Sequence, residues 1–460
     1  MARKKTKCNV QELKIINPHA AGIDLGATKH WVCVPPSGED NFICSFSTDT
    51  QSLNELADYL EEHGITTVAM ESTGVYWIPL FELLEERGFE VILADARTIS
   101  KVPGRKTDVL DCQWIQQLHS YGLLKGAFRP GNDIIKFRSL TRMKKTFVQE
   151  QADWLRRIQK ELDQMNIRVH RAVSDITGKT GMSILEAIVS GERDPAKLAE
   201  FRDCRCKKDK LQIERELTGN WREEHLFNLE MALDTYKFLN NRIELLKDKI
   251  FQLLKKYAKK AGRDKVSAPV AANKNKAKLM MRRGQESMRQ TLFSFCGSDL
   301  TRIDGVSVET AEVVLSEIGF DVSKFPTEEQ FISYIRFSPG MAISAGKKVR
   351  SRKKTSFGSS RLREALRNAA QSLNSSKTAL GAYYRSIAFR KGSSVAIFAT
   401  ARKIAQHIYR MLCYGTDYVD IGMQAYEERN RMKRIRNLKN NAKSLGFDIS
   451  SIIDAKLKTS

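Results

Sequence analysis

The hydrophobic period of this chain changes near residue 130, and that change limits the folds open to it. Upstream, short apolar runs alternate with helical spacings. Residues 20–34 read as one strand, and 41–48 as a second strand across the Pro35-Pro36-Ser37-Gly38 turn. Leu53, Leu56 and Leu60 predict a helix over 51–63, stopped at Gly64. A strand follows at 66–71. A helix at 75–87 carries Val75, Ile78, Leu80, Leu83 and Leu84, and Phe89–Ala94 is again a strand. Pro103-Gly104 makes a turn, and Thr107 can cap a helix running to about Tyr121. The order ββαβαβα fits a mixed sheet with helices packed on it.

Downstream the period lengthens. Leu155, Ile158, Leu162, Met165 and Val169 alternate by three and four, which predicts one long helix over 133–170. Residues 226–254 repeat the pattern through Leu229, Leu233, Ile243 and Ile250. The two stretches suggest an antiparallel helical hairpin or a coiled coil between subunits. Residues 171–225 then form an inserted helical unit. Residues 255–290 are rich in Lys, Arg, Ala, Asn and Gly with little periodicity, and read as a basic flexible linker, its body at 263–290. A mostly helical region spans 291–425. The basic tail 426–460, with RNRMKRIRNLKNNAK, reads as a solvated helix or a nucleic-acid-binding segment. The expected class is α/β plus all-α: an α/β domain at 1–130, a helical hairpin at 131–262, the linker, a helical domain at 291–425 and the tail.

Charge narrows the partner. The 460 residues hold 77 Lys+Arg against 54 Asp+Glu, a formal net charge of +23, with a pI near 9.6. That excess implies a polyanion, foremost nucleic acid; the plain alternative is a merely soluble basic protein. No apolar run reaches eighteen residues, so no membrane partner is expected. The basic start MARKKTK has no apolar segment behind it, so no secretory signal is expected. The eight cysteines are scattered. Only Cys204 and Cys206 are close, with no second pair to complete a zinc set. Reduced thiols in a cytoplasmic protein are the expectation.

Four carboxylates stand out. Asp24 lies in Gly22-Ile23-Asp24-Leu25-Gly26, where glycines let a backbone or an ion approach. Glu71 ends a short strand before Ser72-Thr73-Gly74. Asp108 and Asp111 begin a helix three residues apart, so both leave one face near the dipole's positive end. Phosphodiester chemistry uses carboxylates from separate elements to hold two Mg2+ ions roughly 4 Å apart. Magnesium keeps waters, so few carboxylates per ion suffice. Arg105 and Lys106 stand just before the helical pair and can meet a phosphate. The competing readings are turn residues for Asp24 and Glu71, and ordinary helix-start charges for Asp108 and Asp111. Glu55, Glu61 and Glu62 fall on an exposed helix face. A sugar-kinase-like ATPase opens with a similar Gly-Ile-Asp-Leu-Gly, but its further phosphate and adenosine loops do not appear in the sequence.

A second candidate lies in FSPGMAISAGKKVRSRKKTSFGSSRLRE. Ser344 sits among small residues just before Lys347 and Lys348. A serine hydroxyl needs a base or a metal to become a nucleophile. The nearest histidine in sequence is His407, so a metal is the economical activator. Ser338, Ser351, Ser356, Ser359 and Ser360 are rivals. Lys347, Lys348, Arg350, Arg352, Lys353, Lys354 and Arg361 form a strip suited to phosphates, with salt-sensitive binding. Residues 300–319 and 173–191 share an apolar-x-x-Ile-x-Gly spacing before a helix, similar to a helix-hairpin-helix. Gly305, and more weakly Gly178, is then a phosphate-binding candidate, although Ser307 replaces the usual second glycine. Ordinary helix packing accounts for both segments equally.

Together AGIDLGATKHWVCV, AMESTGVYW, GRKTDVLDCQW, LTRIDGVSVETAEVVLSEIG, FSPGMAISAGKK and SRLREALRNAA resemble the DEDD-class insertion-sequence transposases. These form insertion-sequence family 110, and the Ile-Ser-Ala-Gly-Lys stretch is most similar to its 1111 subgroup. The resemblance covers about 1–130 and 291–415. It implies a RuvC-like, RNase H-type domain joined through a coiled coil to a C-terminal transposase domain. By resemblance, Asp24, Glu71, Asp108 and Asp111 match the acidic tetrad, and Ser344 matches a serine that links covalently to DNA. Ser344-Ala345-Gly346 departs mildly from the usual Ser-Gly-Gly. The resemblance further implies Mg2+, donor and target DNA, and a non-coding guide RNA encoded by the element. It implies a homo-oligomer in which the acidic domain of one subunit meets the serine domain of another, in a bacterial or archaeal cytosol at the nucleoid. A resolvase-like nuclease in which water attacks is the alternative, and a binding protein with a decayed site is a third.

Overall fold

The computed structural model describes residues 14–36, 43–71, 74–94, 108–124, 126–270, 274–338, 341–344, 347–350 and 361–446. For 108–110, 274–275, 341–344 and 347–350 it describes the backbone alone. The chain divides into two compact units, Met1–Arg129 and Pro130–Ser460.

Unit one begins with three strands where the sequence suggests two. The expected strand 20–34 is a hairpin of β1 (Ala20–Leu25) and β2 (Lys29–Cys33). Gly26 donates its N–H to the Lys29 carbonyl at 3.0 Å and closes the turn. A Cβ on Gly26 would lie 2.6 Å from that same oxygen. β3 (Ile43–Ser47) pairs antiparallel with β2. Helix α1 (Thr50–Glu62) is capped by Asp49, whose side chain accepts from the Ser52 N–H. That N–H, aided by the Ser52 hydroxyl, holds the Asp49 carboxyl down at about 2. Strand β4 (Thr67–Glu71), helix α2 (Trp77–Glu86), strand β5 (Glu90–Ala94) and helix α3 (Asp108–Ser120) follow among the described residues. α2 starts two residues later than expected, and Val75 is exposed. The cap assigned to Thr107 lies outside the described residues.

The sheet order is β3-β2-β1-β4-β5, with β1, β4 and β5 parallel and β2 antiparallel. One face carries Ile23, Val32, Val68 and Met70 against Leu56 and Leu60 of α1 and Leu80 and Leu84 of α2. The other face is lined by small residues, Gly22, Ala69 and Ala94, beneath Ile115 and Leu118 of α3. Small residues on one face and large ones on the other hold α3 close to the strands.

Among the described residues, unit two is helical apart from one hairpin. Helices α4 (Asn132–Gln164) and α9 (Glu223–Lys260) pack along each other within one chain. The expected 133–170 helix stops early. Met165 closes it, and Asn166 takes a positive φ of 57° that bends the chain away. Val169 belongs to a separate turn, α5 (Val169–Ala172). With α6 (Lys179–Val189), α7 (Pro195–Glu200) and α8 (Lys210–Leu217) it builds a cap on the hairpin's distal end. Ile158, Leu162, Ile184, Ile188, Ile213, Leu229 and Leu233 share its core.

The segment read as a flexible linker is largely helical. α9 runs on to Lys260, and α10 (Lys274–Arg282) and α11 (Glu286–Cys296) follow. Polar side chains do the packing there. Arg289 is buried and pairs with Asp299 at 2.5 Å. Lys276 donates to the carbonyls of Thr301 and Ile303.

A 3-10 turn (Leu300–Arg302), α12 (Val308–Ile318) and α13 (Glu328–Tyr334) precede the hairpin of β6 (Met341–Ser344) and β7 (Lys347–Arg350). α14 (Arg361–Gln371), α15 (Ala379–Lys391), α16 (Ser393–Tyr414) and α17 (Met423–Ser444) follow. α4 reaches α12 through ion pairs to the buried carboxylates Glu317 and Glu312. Arg142 grips Glu317 with two nitrogens at 2.8 and 2.7 Å, and Lys144 meets Glu312 at 2.6 Å. No helix of the described residues is long and apolar enough to cross a membrane.

Candidate active site

The acids of unit one are placed by register. Ile23 of β1 pairs with Met70 of β4, so the next step in these parallel strands sets Asp24 beside Glu71. Both lie where the two central strands end. Side chains alternate along a strand, so Asp24 shares the face of Gly22 and Glu71 the face of Ala69. That is the α3 face.

α3 runs antiparallel to β1. Ser120 at its end accepts from the N–H groups of Ile16 and Asn17 at 2.8 and 2.9 Å. Gln116 donates through Nε2 to the Ala20 carbonyl at 3.2 Å. Cys112 lies over Gly22. Continuing the same way, Asp24 comes level with the first turn of α3, which contains Asp108 and Asp111. The electrostatics agree. The Cys112 thiol is pushed well above its ordinary range, first by a hydrogen bond with Cys33 and then by burial, and the charge of Asp24 adds to the effect. Asp111 is half-buried. Asp108 opens the helix, with its backbone alone described, and Arg105 and Lys106 lie outside the described residues.

The donor set is all carboxylate oxygen, the chemistry Mg2+ prefers. Among the described residues, no three His, Cys, Asp or Glu side chains form a group able to hold an ion. Magnesium keeps much of its water shell, so a site needs only one or two carboxylates per ion. Asp24, Glu71, Asp108 and Asp111 are carboxylates that could supply such oxygens. The nearby histidines serve packing. His119 Nε2 meets the Thr67 hydroxyl at 2.9 Å, at the opposite end of β4 from Glu71. His30 is buried in β2.

Four residues escape sequence reasoning. Trp31 is the register partner of Asp24 across the β1–β2 hairpin. Cys33 and Cys112 join β2 to α3. Gln116 anchors α3 to Ala20 and to the Ser120 hydroxyl at 3.0 Å. A helix face that repeats Cys112, Gln116 and His119 was the available signal.

In unit two, Ser344 ends β6 and pairs in register with Lys347, the first residue of β7. That register makes Ser344 and Lys347 the last described pair of the hairpin. Lys348 pairs with Ile343, and Arg350 with Met341. Arg352, Lys353 and Lys354 lie outside the described residues. Arg361 is the first residue of α14, three positions before Glu364, which pairs with Lys145 of α4. α4 thus fixes the start of the helix that follows the basic strip.

At the two glycine segments the preceding elements are short: a three-residue 3-10 turn before Gly305 and a four-residue helix before Gly178. Gly305 has a φ of 80°, and a Cβ there would stand 2.5 Å from the Ala369 carbonyl of α14. Close packing on α14 is sufficient reason for this glycine. Gly178 is the residue before α6, with φ −72°.

A family model described as transposase matches residues 21–167. The model of the transposase IS116/IS110/IS902 family matches residues 297–385. No curated protein matches the chain.

Proposed function

Because the chain belongs to the IS110-family DEDD transposases, we propose that it cuts and rejoins DNA with Mg2+ held by Asp24, Glu71, Asp108 and Asp111 and with Ser344 as the nucleophile. The observation that carries the reading is the meeting of Asp24 and Glu71 at the ends of adjacent parallel strands, on the face where α3 begins. The sheet order, with its single antiparallel inner strand, supports an RNase H-like (RuvC-like) assignment for unit one.

Bound Mg2+ would neutralise charge on the scissile phosphate and lower the cost of deprotonating the attacking hydroxyl. The residues of the chain do the rest. Asp24 and Glu71, carried on rigid strands, hold their oxygens at a fixed place. Asp108 and Asp111 approach from a helix pinned by Gly22 and Gln116. The Ser344 Oγ gives its proton to a carboxylate or to solvent and bonds to phosphorus as the bond to one strand oxygen breaks, and that oxygen takes up a proton and leaves as a free hydroxyl. The phosphoserine diester keeps the energy of the phosphodiester. A hydroxyl from a second DNA end then attacks it, and Ser344 regains its proton. Lys347 and Lys348, beside Ser344 in the hairpin, suit the phosphate charge.

The finer partners follow from the same family reading: donor and target DNA, a non-coding guide RNA, and a homo-oligomer. Phe227, Met231, Phe238 and Leu245 support subunit pairing, because they are exposed on α9 at spacings of four and seven.

The direct test of the metal reading is cleavage of donor DNA with and without Mg2+. Asp24→Asn and Glu71→Gln should each abolish cutting while DNA binding persists. Normal cutting by either variant would remove the proposed centre.

A further inference from the structure

α17 stands apart from the rest of unit two. None of its residues is buried. Among the described residues it is anchored at its beginning, where Tyr426 meets Tyr383 with ring centres 6.3 Å apart and Arg385 reaches the Met423 sulfur at 3.0 Å. From Arg429 to Lys443 it carries seven Lys and Arg and no acid. On a 3.6-residue repeat, Arg429, Lys433, Arg436, Asn440 and Lys443 fall on one face. All five are exposed. Among the described residues, none of the four cations has an ion-pair partner.

A helix with no buried face gains little from packing, and like charges along one face repel one another. Such a face is relieved by a polyanion. Its geometry selects which one. From Arg429 to Lys443 the helix rises about 21 Å, about six base pairs of B-form DNA. The B-form major groove, about 12 Å wide, admits an α-helix. The A-form RNA major groove is too deep and narrow for one. A bilayer surface calls for a broad apolar face, whereas on the side opposite these four cations Ile435, Leu438, Ala442 and Leu445 are interrupted by the exposed Arg431 and Arg434.

We propose that α17 is a second DNA-binding element, separate from the basic strip at 347–361, which lies in the major groove of duplex DNA with its Arg429–Lys443 face toward the DNA. The inference rests on the reading that this chain acts on DNA, and it assigns duplex binding to a helix outside both family-matched segments.

The test uses the full chain and a variant carrying Arg429→Ala, Lys433→Ala, Arg436→Ala and Lys443→Ala. Alanine keeps helix propensity, and circular dichroism checks that the fold is unchanged. Binding is read by fluorescence anisotropy on duplex DNA, on duplex RNA of the same sequence, and on phosphatidylserine vesicles, over a salt series. The variant should bind duplex DNA about tenfold or more weakly. Its slope of log K against log salt should flatten by about 3 to 4, near one per lost phosphate contact. Duplex RNA binding should be unchanged. The wild type should protect guanine N7 atoms in the major groove from dimethyl sulfate, and the variant should not. A control with Lys160, Lys207, Lys210 and Arg215 changed to Ala should leave DNA binding intact.

Unchanged DNA affinity and slope in the α17 variant would overturn the proposal. So would an equal loss on RNA, an equal loss in the control, or a loss confined to the vesicles. If the wild type fails to cut DNA yet the α17 variant loses duplex binding, the catalytic reading fails and this one stands. Normal cutting with intact variant binding reverses that outcome.

Discussion

A methyl group on Gly22 would stand 2.5 Å from the carbonyl oxygen of Cys112. The central strand β1 and helix α3 therefore meet backbone to backbone. This contact decides how far the first turn of α3 stands from Asp24 and Glu71.

Gly22→Ala should accordingly damage unit one. The added carbon would also lie 2.2 Å from the Gln116 nitrogen, with no flexible side chain to move aside. Overpacking of this kind costs about 1–3 kcal/mol. A lowered urea midpoint, together with lost Mg2+ response, is expected. An unchanged midpoint would show that the contact is looser than described.

Mg2+ itself should stabilise the fold. A cation at 100 times its dissociation constant adds about 2.7 kcal/mol to a protein that binds it only when folded. Thermal unfolding of the wild type should move upward with Mg2+. Asp24→Asn and Glu71→Gln should respond weakly or not at all. An equal rise in all three would place the bound ion elsewhere.

Much of unit one was legible because its elements have one buried face each. Leu53, Leu56 and Leu60 repeat with the helix period, and all three are buried. The β1–β2 turn was hidden because Gly26-Ala27-Thr28 interrupts an otherwise strand-like stretch by only three small residues. Register sets Asp24 beside Glu71, and register between strands far apart in sequence is not written in either strand alone. Residues 255–290 failed for the opposite reason. Their packing relies on Lys276 and Arg289, whose charges read as solvent-facing until partners such as Asp299 and the Thr301 carbonyl are known.

Lys276 gives a pH signature. Burial lowers its ammonium from an ordinary value of 10.5 to about 8, against the opposing charges of Asp304 and Asp299. The unfolded chain then holds this proton more tightly than the folded one. The contribution of Lys276 is greatest above pH 10.5 and is lost as pH falls through 8. The stability of the wild type relative to Lys276→Met should rise between those values. A flat difference across that window would mean the amine is solvated.

The hairpin separates two kinds of leucine. Leu162 is 1% exposed in the distal core, so Leu162→Ala should cost about 2–5 kcal/mol without changing the mass in solution. Leu245 and Phe238 are exposed on α9, and changing both to Lys should lower the mass seen by light scattering while stability holds. An unchanged mass would show that this stripe does not pair subunits.

The central claim joins the acids of unit one to a covalent step at Ser344. Its most direct measurement is the capture of a protein–DNA adduct. Protein, guide RNA and labelled donor DNA are mixed with Mg2+, and the products are separated under denaturing conditions. The wild type should give a band that is shifted by the mass of the chain and destroyed by protease. Ser344→Ala should give none while still binding DNA. An adduct that persists in Ser344→Ala, or free cut ends without an adduct in the wild type, would contradict the account.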